Sequence, residues 1–281
     1  MVHERAEIAA ELRAQGRTAA VVIPARNEEA TVGAVVRPLV QRLVGGGLLS
    51  EVLVVDDGST DRTAACARDA GARVVHAAEV LPGRGGAGKG GALWRGLAAT
   101  TADLVVFLDA DLIELDADTV TLLLAPLVQD PTAALVKGSW RRPLGDDPDG
   151  GGRVTELVAR PLLARFFPEL SFVRQPLAGE DAGTRLLLER LPFLSGWGVD
   201  IGLLLDAARA GGPSSILQVE LGTRRHRNRL LFELGVPAAT VLLAVLDRAG
   251  VGTRAAGLSL DGVQVSLDEL PPLEGLRARR S

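Results

Sequence analysis

Two carboxylates one residue apart, Asp109 and Asp111, stand at the end of the apolar run 104–108. Carboxylate oxygens that leave bulk water need a partner, and hard divalent cations such as Mg²⁺ or Mn²⁺ bind them well. A cation held there would in turn bind a diphosphate. The alternative is that one carboxylate caps the following helix while the other faces water, and this pair alone does not decide between the two.

A second group of chemically active side chains lies near the end of the chain, where four arginines surround His226 within residues 224–229. Such clusters also occur in solvated basic patches and in nucleic-acid contacts. This one is small, and the chain carries a net charge of −4, so we expect no nucleic-acid partner. Neutral imidazole can supply a nitrogen ligand to a metal, while neighbouring arginines bind phosphate.

A glycine-rich segment between Gly83 and Gly96 contains seven glycines and one lysine, Lys89. This composition predicts a loop that is flexible or that adopts positive φ angles, and its lysine indicates phosphate binding. The segment is not a P-loop, because Gly90 stands where that motif has its metal-binding hydroxyl. A plain mobile connector is the alternative.

A second glycine-rich segment, 144–152, precedes a predicted helix that starts near Arg153 and Thr155. Free N–H groups and the helix dipole at such a start favour an anion. The alternative is an ordinary helix cap beside a solvated arginine.

The elements that must position these residues alternate between strand and helix. Apolar runs predict strands at 19–23, 52–55, 73–75, 104–108, 133–137 and 216–221, and a strand and turn within 172–185. Helices are predicted at 1–17, 31–43, around Cys66, at 117–128, 153–167, near Leu186, around 203–205 and at 230–250. This alternation is typical of a doubly wound α/β fold with a mostly parallel sheet, which binds ligands at the carboxyl ends of its strands. Asp261-Gly262 predicts the turn of a small hairpin.

The composition excludes several other classes of protein. The 281 residues are 47% hydrophobic and 23% charged, which is ordinary for a globular protein with a substantial core. No apolar run reaches the roughly 18–20 residues of a membrane span, so we expect no membrane partner. A single cysteine, Cys66, excludes an internal disulfide and fits a reducing cytoplasm.

Several segments resemble known enzymes. VVIPARNEEATVG, VVDDGSTDRT and FLDADL, within residues 20–113, are similar to the nucleotide-sugar glycosyltransferases of GT-A (Rossmann-like) fold. GKGGALWRGLAAT, GGGRVTELVARPLL, QPLAGE and LGTRRHRNR resemble the glucosyl-3-phosphoglycerate synthases more specifically. The resemblance implies a retaining enzyme that uses Mg²⁺ or Mn²⁺ and moves glucose from UDP-glucose to 3-phosphoglycerate. The related mannosyl-3-phosphoglycerate synthases, with GDP-mannose as donor, are the close alternative.

The resemblance also implies roles for particular residues. Asp111 and His226 are expected to bind the metal, and Asp109, Asp200 and Glu180 are the candidate catalytic carboxylates. The expected donor site consists of Pro24, Ala25, Arg26, Glu28, Asp57, Lys89, Asp109, Ala110, Leu177, Ala178, Gly179, Trp197 and Arg224. The expected acceptor site consists of Gly152, Arg153, Thr155 and Asn228. Since no carboxylate is distinguished as a nucleophile, we expect front-face attack, in which the leaving phosphate oxygen accepts the acceptor's proton.

The chain departs from the family pattern at three places. Ala110 replaces a serine between the two aspartates, Asp200 replaces a glutamate, and Asp57 stands where some members have serine. The last two changes bear on the choice of donor.

The resemblance implies one continuous GT-A unit, with a nucleotide-sugar-binding half at 1–140 and an acceptor-binding half at 141–281. Its helical C-terminal region is expected to complete the acceptor site and to form a homodimer. Three other classes remain open: a sugar-phosphate nucleotidylyltransferase, a polyprenyl-phosphate sugar transferase, and a non-catalytic sugar-nucleotide binder.

Overall fold

The computed structural model describes residues 2–84, 86–143, 150–223, 230–252 and 257–277. The described strands are β1 (Ala19–Ala25), β2 (Glu51–Asp56), β3 (Arg73–His76), β4 (Leu104–Phe107), β5 (Leu135–Arg141), β6 (Asp181–Thr184), β7 (Phe193–Leu194), β8 (Ile216–Thr223), β9 (Leu258–Leu260), β10 (Val263–Val265) and β11 (Glu269–Leu270). The described α-helices are α1 (Val2–Ala14), α2 (Val32–Leu39), α3 (Thr63–Asp69), α4 (Lys89–Ala99), α5 (Asp118–Gln129), α6 (Arg160–Phe166), α7 (Arg185–Leu188), α8 (Val199–Gly211), α9 (Gly235–Arg248) and α10 (Glu274–Arg277).

Seven strands form one sheet in the order β3-β2-β1-β4-β6-β5-β8. The pairs β1–β2, β2–β3, β1–β4 and β5–β8 are parallel, whereas β6 is antiparallel to both β4 and β5. The predicted mostly parallel α/β sheet is therefore confirmed. Because β6 runs against its neighbours, its first residue lies at the edge where the parallel strands end.

The sheet is covered by helices on both faces, because the side chains of each central strand alternate between two cores. In β4, for example, Leu104 and Val106 face one core, whereas Val105 and Phe107 face the other. The first core contains residues of α1, α2, α3 and α5, and the second contains residues of α4, α6, α7, α8 and α9. Burial on both faces explains why residues 104–108 are continuously apolar.

The prediction of a loop throughout the first glycine-rich segment is wrong, because α4 begins at Lys89 and continues to Ala99. Its glycines provide space for close packing. A β carbon at Gly90 would lie 1.7 Å from the carbonyl oxygen of Leu194, and one at Gly96 would lie 2.2 Å from Val22 Cγ1. Gly90 therefore lets α4 pack against the backbone of Leu194, and Gly96 lets it pack against Val22 of the sheet.

Other elements differ from prediction mainly at their ends. β5 continues four residues past the predicted Lys137 to Arg141, and the strand predicted within 172–185 is confined to Asp181–Thr184. The hairpin formed by β9 and β10 is confirmed, with positive φ at both Asp261 and Gly262. Of the second glycine-rich segment, 144–149 lie outside the described residues.

The apolar residues of α9 pack within the chain. Val241, Ala244 and Val245 are buried in the second core, and α9 contacts α8 and α6. Among the described residues, no helix is both long enough and apolar enough to span a membrane. The boundary predicted at residue 140 falls inside β5, which pairs with β6 and β8 in the same sheet.

Candidate active site

A cavity of about 390 Å³ opens at the carboxyl ends of the parallel strands. Loops after three neighbouring strands contribute to it: one after β1, one after β2 and one after β4. The start of α4 and an exposed tryptophan complete its wall. The lining residues are Pro24, Ala25, Arg26, Glu28, Asp57, Gly88, Lys89, Ala92, Asp109, Ala110, Asp111 and Trp197. Thirteen of the predicted donor-site and metal residues precede residue 200 in the chain. Ten of these thirteen line this cavity.

Lys89 lies at the inner end of this cavity, between two carboxylates. Its Nζ lies 3.0 Å from Asp109 Oδ1 and donates a hydrogen bond of 3.0 Å to Asp200 Oδ2. Burial disfavours the ammonium, but the two carboxylates outweigh it and raise the pKa of Lys89. Burial raises the pKa of Asp200, and Lys89 opposes that rise. Lys89 therefore remains a cation, and it joins the end of β4 to the start of α8.

The loops that line this cavity are held to each other by hydrogen bonds. The backbone N–H of Gly88 donates to Asp57 Oδ2 at 2.7 Å, and the N–H of Glu28 donates to Thr63 Oγ1 at 2.7 Å. Asn27 adopts a positive φ of 57° and accepts a hydrogen bond from the N–H of Thr60 at 2.8 Å. These bonds fix the loops after β1 and β2 before any ligand is present, which reduces the entropy cost of binding.

The segment 175–180, called the donor-loop segment after the role that the resemblance implies, also contacts this cluster. A β carbon at Gly179 would lie 2.4 Å from Lys89 Nζ and 2.6 Å from either carboxylate oxygen of Asp109. Ala178 is fully buried, and Leu177 packs at the edge of the second core. The predicted approach of this backbone to a sugar therefore has room only because residue 179 is a glycine.

A larger cavity of about 860 Å³ lies beyond the same segment and is rich in arginine. It is lined by Ser139, Trp140, Arg141, Arg142, Gly151, Glu156, Arg160, Arg174, Gln175, Glu220, Gly222 and Thr223. The predicted acceptor residues Gly152, Arg153 and Thr155 follow Gly151 directly, and Gly152 adopts a positive φ of 72°. Thr155 is 2% exposed and begins a short π-helix.

Glu180 lies between the two cavities. Its side chain is fully buried, and its Oε2 accepts a 3.0 Å hydrogen bond from Trp140 Nε1. Gln175 donates in turn to the carbonyl oxygen of Trp140 at 2.8 Å. The segment 175–180 therefore contacts the Lys89 cluster at one end and lines the arginine-rich cavity at the other.

The carboxylates beside the first cavity suit a hard divalent cation. Asp111 is exposed, and its charge together with that of Asp109 contributes to the raised pKa of Glu28, of which burial is the largest cause. Such mutual repulsion among oxygen ligands is relieved by Mg²⁺ or Mn²⁺. In the part of the chain that the structure describes, no three metal-binding side chains form a cluster. The predicted ligand His226 lies outside the described residues, as do Arg224 and Asn228.

Comparison with known proteins identifies the family. The sequence model described as "Glycosyl transferase family 2" matches residues 20–191. The chain belongs to glycosyl transferase family 2. The matched range contains every residue that lines the first cavity except Trp197, and it contains the segment 175–180, so the family assignment covers most of the candidate site.

Several curated relatives are glucosyl-3-phosphoglycerate synthases. The protein of Mycolicibacterium smegmatis is 49% identical over 94% of this chain and 91% of its own length. That of Petrotoga mobilis is 41% identical over 81% of this chain and 72% of its own length.

A solved structure gives the same result. The glucosyl-3-phosphoglycerate synthase of Mycobacterium tuberculosis, in complex with Mn²⁺, UDP-glucose and phosphoglyceric acid, has a TM-score of 0.88 and 46% identity. The alignment covers 96% of this chain and 94% of that one.

Sequence reasoning missed one ion pair beside the site. Lys137 of β5 is fully buried, and its Nζ lies 2.6 Å from Asp181 Oδ2. From the sequence alone, Lys137 has no predicted role beyond that of the last residue of a strand. The available signal was the continuation of apolar and small residues after it, which predicts that the strand remains buried.

Proposed function

We propose that this member of glycosyl transferase family 2 transfers glucose from UDP-glucose to 3-phosphoglycerate and forms glucosyl-3-phosphoglycerate. One observation carries the proposal: the segment 175–180 contacts the donor cluster at Gly179 and lines an arginine-rich cavity at Gln175. A nucleotide sugar in the first cavity and an anionic acceptor in the second would therefore meet at this segment. Identities of 49% and 41% to two glucosyl-3-phosphoglycerate synthases support this donor and acceptor.

The chemistry follows from the charge that develops on the leaving diphosphate. A divalent cation held by Asp111 and His226 would supply electrostatic stabilisation of that charge. Lys89 adds a fixed positive charge at the start of α4. Preorganised charges of this kind stabilise a transition state without reorganisation during the reaction.

Each of the three candidate carboxylates has a partner that holds it in place. Asp109 and Asp200 contact Lys89, and Glu180 accepts a hydrogen bond from Trp140. An ion-paired or hydrogen-bonded carboxylate is a weaker nucleophile than a free one. This supports front-face transfer with retention, in which Asp109 and Asp200 orient the sugar and the leaving phosphate oxygen accepts the acceptor's proton.

The acceptor side suits a small molecule that carries a phosphate and a carboxylate. Arginine guanidinium groups bind both anions through paired hydrogen bonds. We assign the phosphoglycerate to Gly152, Arg153, Thr155 and Asn228, and the diphosphate to Arg224. The positive φ of Gly152 and the burial of Thr155 support a shaped, preformed loop at this point.

The deciding experiment offers UDP-glucose and GDP-mannose separately, with 3-phosphoglycerate and either Mg²⁺ or Mn²⁺. We expect a glucosylated product by mass from UDP-glucose, with the α-anomeric configuration of the donor retained by NMR. A mannosylated product from GDP-mannose would assign the other donor. Release of pyrophosphate from a nucleoside triphosphate would indicate a nucleotidylyltransferase, and binding of UDP-glucose without any turnover would indicate a non-catalytic binder.

Three further properties belong to the proposal. We propose that the two halves, 1–140 and 141–281, act as one catalytic unit, which the shared sheet supports. A cytoplasmic location is supported by the use of only one cysteine. A homodimer is supported by the exposed apolar side chains of Leu230, Leu231 and Phe232, and analytical ultracentrifugation tests it directly.

A further inference from the structure

Lys137 occupies an unusual position for a lysine. It lies on β5 directly opposite Asp181 of β6, and its side chain is fully buried. Its Nζ contacts Asp181 Oδ2 at 2.6 Å and donates a second hydrogen bond of 3.0 Å to the carbonyl oxygen of Ala178. The ammonium therefore binds one residue of β6 and one residue of the donor-loop segment.

Stability alone does not account for this pair. Removing two charges from water costs several kcal/mol per ion, and apolar pairs of similar volume are often equally stable or more so. Asp181 Oδ1 is buried and has no hydrogen-bond partner among the described residues. The hydrogen bonds of the pair therefore do not fully replace those lost to water. The hydrogen bond from Lys137 to Ala178 is the feature that an apolar pair would not reproduce.

The donor-loop segment is attached to β5 at several successive points. The N–H of Gly138 donates to the carbonyl oxygen of Glu180 at 2.8 Å, next to the two bonds of Lys137. Between the carbonyl groups of Ala178 and Glu180 lies Gly179, whose backbone contacts the Lys89–Asp109 pair. The position of Gly179 relative to that pair is therefore set by β5.

The charge of Lys137 also reaches the donor cluster. Burial raises the pKa of Asp200, and Lys89 and then Lys137 oppose this rise. The pKa of Asp181 is likewise raised by burial, with Lys137 as the main opposing influence. The five groups Lys89, Asp109, Lys137, Asp181 and Asp200 thus form one charge network around Gly179, in which all but Asp109 are largely buried.

We propose that Lys137 is a positioning residue for the donor sugar: its ammonium holds the Ala178 carbonyl so that Gly179 packs against the Lys89–Asp109 pair. The inference rests on the proposed function, since it requires a donor that carries a sugar on a nucleoside diphosphate. In the proposed function the nucleotide is bound by other elements, the loops after β1 and β2. Loss of Lys137 should therefore affect the sugar and leave the nucleotide unaffected.

The principal test is the double variant Lys137→Met with Asp181→Leu, which removes both charges together and leaves no uncompensated ion. Binding of UDP and of UDP-glucose, each with Mn²⁺, is measured by calorimetry, followed by turnover with 3-phosphoglycerate. We expect unchanged affinity for UDP, loss of the additional affinity that the glucose provides, and a fall in kcat of about 10²-fold, the size that a displacement of about 1 Å produces.

Two single variants refine this test. Asp181→Asn removes the carboxylate but keeps Lys137 and its bond to Ala178, so we expect a lower Tm but retention of the additional affinity that the glucose provides. Lys137→Gln keeps a donor that does not extend as far, and it serves if the double variant does not fold. For Lys137→Gln we expect the same kind of difference between the affinities for UDP and for UDP-glucose, but a smaller one.

The matched control is a buried ion pair away from the site. Arg248 of α9 contacts Asp206 of α8 at 2.8 Å, and both side chains are less than 10% exposed. Arg248 also contacts Asp247 and Glu269, which are partly exposed and can be solvated when the arginine is removed. The double variant Arg248→Met with Asp206→Leu should lower Tm, but it should bind UDP and UDP-glucose with the affinities of the wild type. Equal kinetic loss in both double variants would show that Lys137 acts only through stability.

The outcomes separate the inference from the function. Active wild-type protein together with a Lys137→Met/Asp181→Leu variant of undiminished kcat and UDP-glucose affinity would overturn the inference alone. Wild-type protein that neither binds nor turns over UDP-glucose would overturn the proposed function, and the inference with it.

Discussion

Gly179 has a hydrogen atom where every other residue type has a β carbon. A β carbon at this position would lie against Lys89 and Asp109. A larger residue at position 179 would therefore displace Lys89 or Asp109. Asp109 follows β4, Lys89 begins α4 and Asp200 lies in α8, so the geometry at this contact depends on elements far apart in the chain.

We expect Gly179→Ala to fold and to lose most of its activity. Its new methyl group would lie 2.4 Å from Lys89 Nζ, the end of a flexible side chain that can shift. Because the shift displaces the groups that orient the sugar, kcat/KM for UDP-glucose should fall by about 10²-fold, with little change in Tm. Gly275→Ala, where no atom lies within 4 Å of the new β carbon, is the control and should leave both quantities unchanged. Wild-type kinetics in Gly179→Ala would show that the sugar does not bind there.

Removal of the Lys89 charge should make folding stability depend more strongly on pH. Burial raises the pKa of Asp200, and Lys89 opposes that rise, so Lys89→Met should raise it further. A carboxyl whose pKa is higher in the folded state favours folding at low pH, and this contribution is lost as pH rises through the folded pKa. The loss in unfolding free energy relative to wild type should therefore be larger at pH 8 than at pH 5, as measured by urea denaturation.

The second variant Lys89→Met with Asp200→Asn controls for the source of this pH dependence. Since it lacks the titrating carboxyl, the difference between pH 5 and pH 8 should become smaller. If the two variants show the same pH dependence, Asp200 is not its cause.

At the scale of single elements, the sequence predicted strands and most helices because burial imposes a pattern that is local. Residues 104–108 are apolar because both faces of β4 are covered, and Asp109 marks where that strand ends. The site residues at strand ends could be found in this way, since their position depends on one strand alone.

The first glycine-rich segment could not be interpreted from local pattern. Glycine permits both flexibility and close packing, and the groups that decide between them, such as Leu194 and Val22, are distant in the sequence. Lys137 was missed for a related reason, because its partner Asp181 belongs to a strand more than forty residues later. A single sequence does not show which strands pair with each other across the sheet.

A pair of glycine substitutions tests this interpretation of α4. Gly96→Ala places a β carbon 2.2 Å from Val22 Cγ1 and 3.1 Å from Val55 Cγ2, so overpacking should destabilise the protein by about 1–3 kcal/mol. Gly33→Ala in α2 has only an ordinary contact of 3.6 Å and should stabilise by roughly 0.5–1 kcal/mol through helix propensity. Urea denaturation measures the change in the free energy of unfolding, which should have opposite signs in the two variants. Stabilisation by Gly96→Ala would contradict the packing role of Gly96.

At the scale of the whole molecule, the antiparallel strand β6 separates the two halves of the sheet while presenting its first residues at their common edge. The donor loops follow β1, β2 and β4 on one side of β6, and β5 and β8 lie on the other. Asp111 follows β4, and His226 follows β8 in the sequence. A metal bound by both would connect the two halves of the sheet at the site of reaction.

Metal and nucleotide should therefore stabilise the protein together more than either does alone. A ligand present at 100 times its Kd adds about 2.7 kcal/mol, which corresponds to a rise in Tm of roughly 5–10 °C for a chain of this size. We expect a rise of this order with UDP and Mn²⁺, and little rise with Mn²⁺ alone because the proposed site has two protein ligands, Asp111 and His226. His226→Ala and Asp111→Asn should abolish the joint effect and most of the activity without lowering the Tm of the free protein. Asp69→Asn, which removes an exposed carboxylate at the end of α3, should retain both. Full joint stabilisation in His226→Ala would show that the cation is held on one side of β6 only.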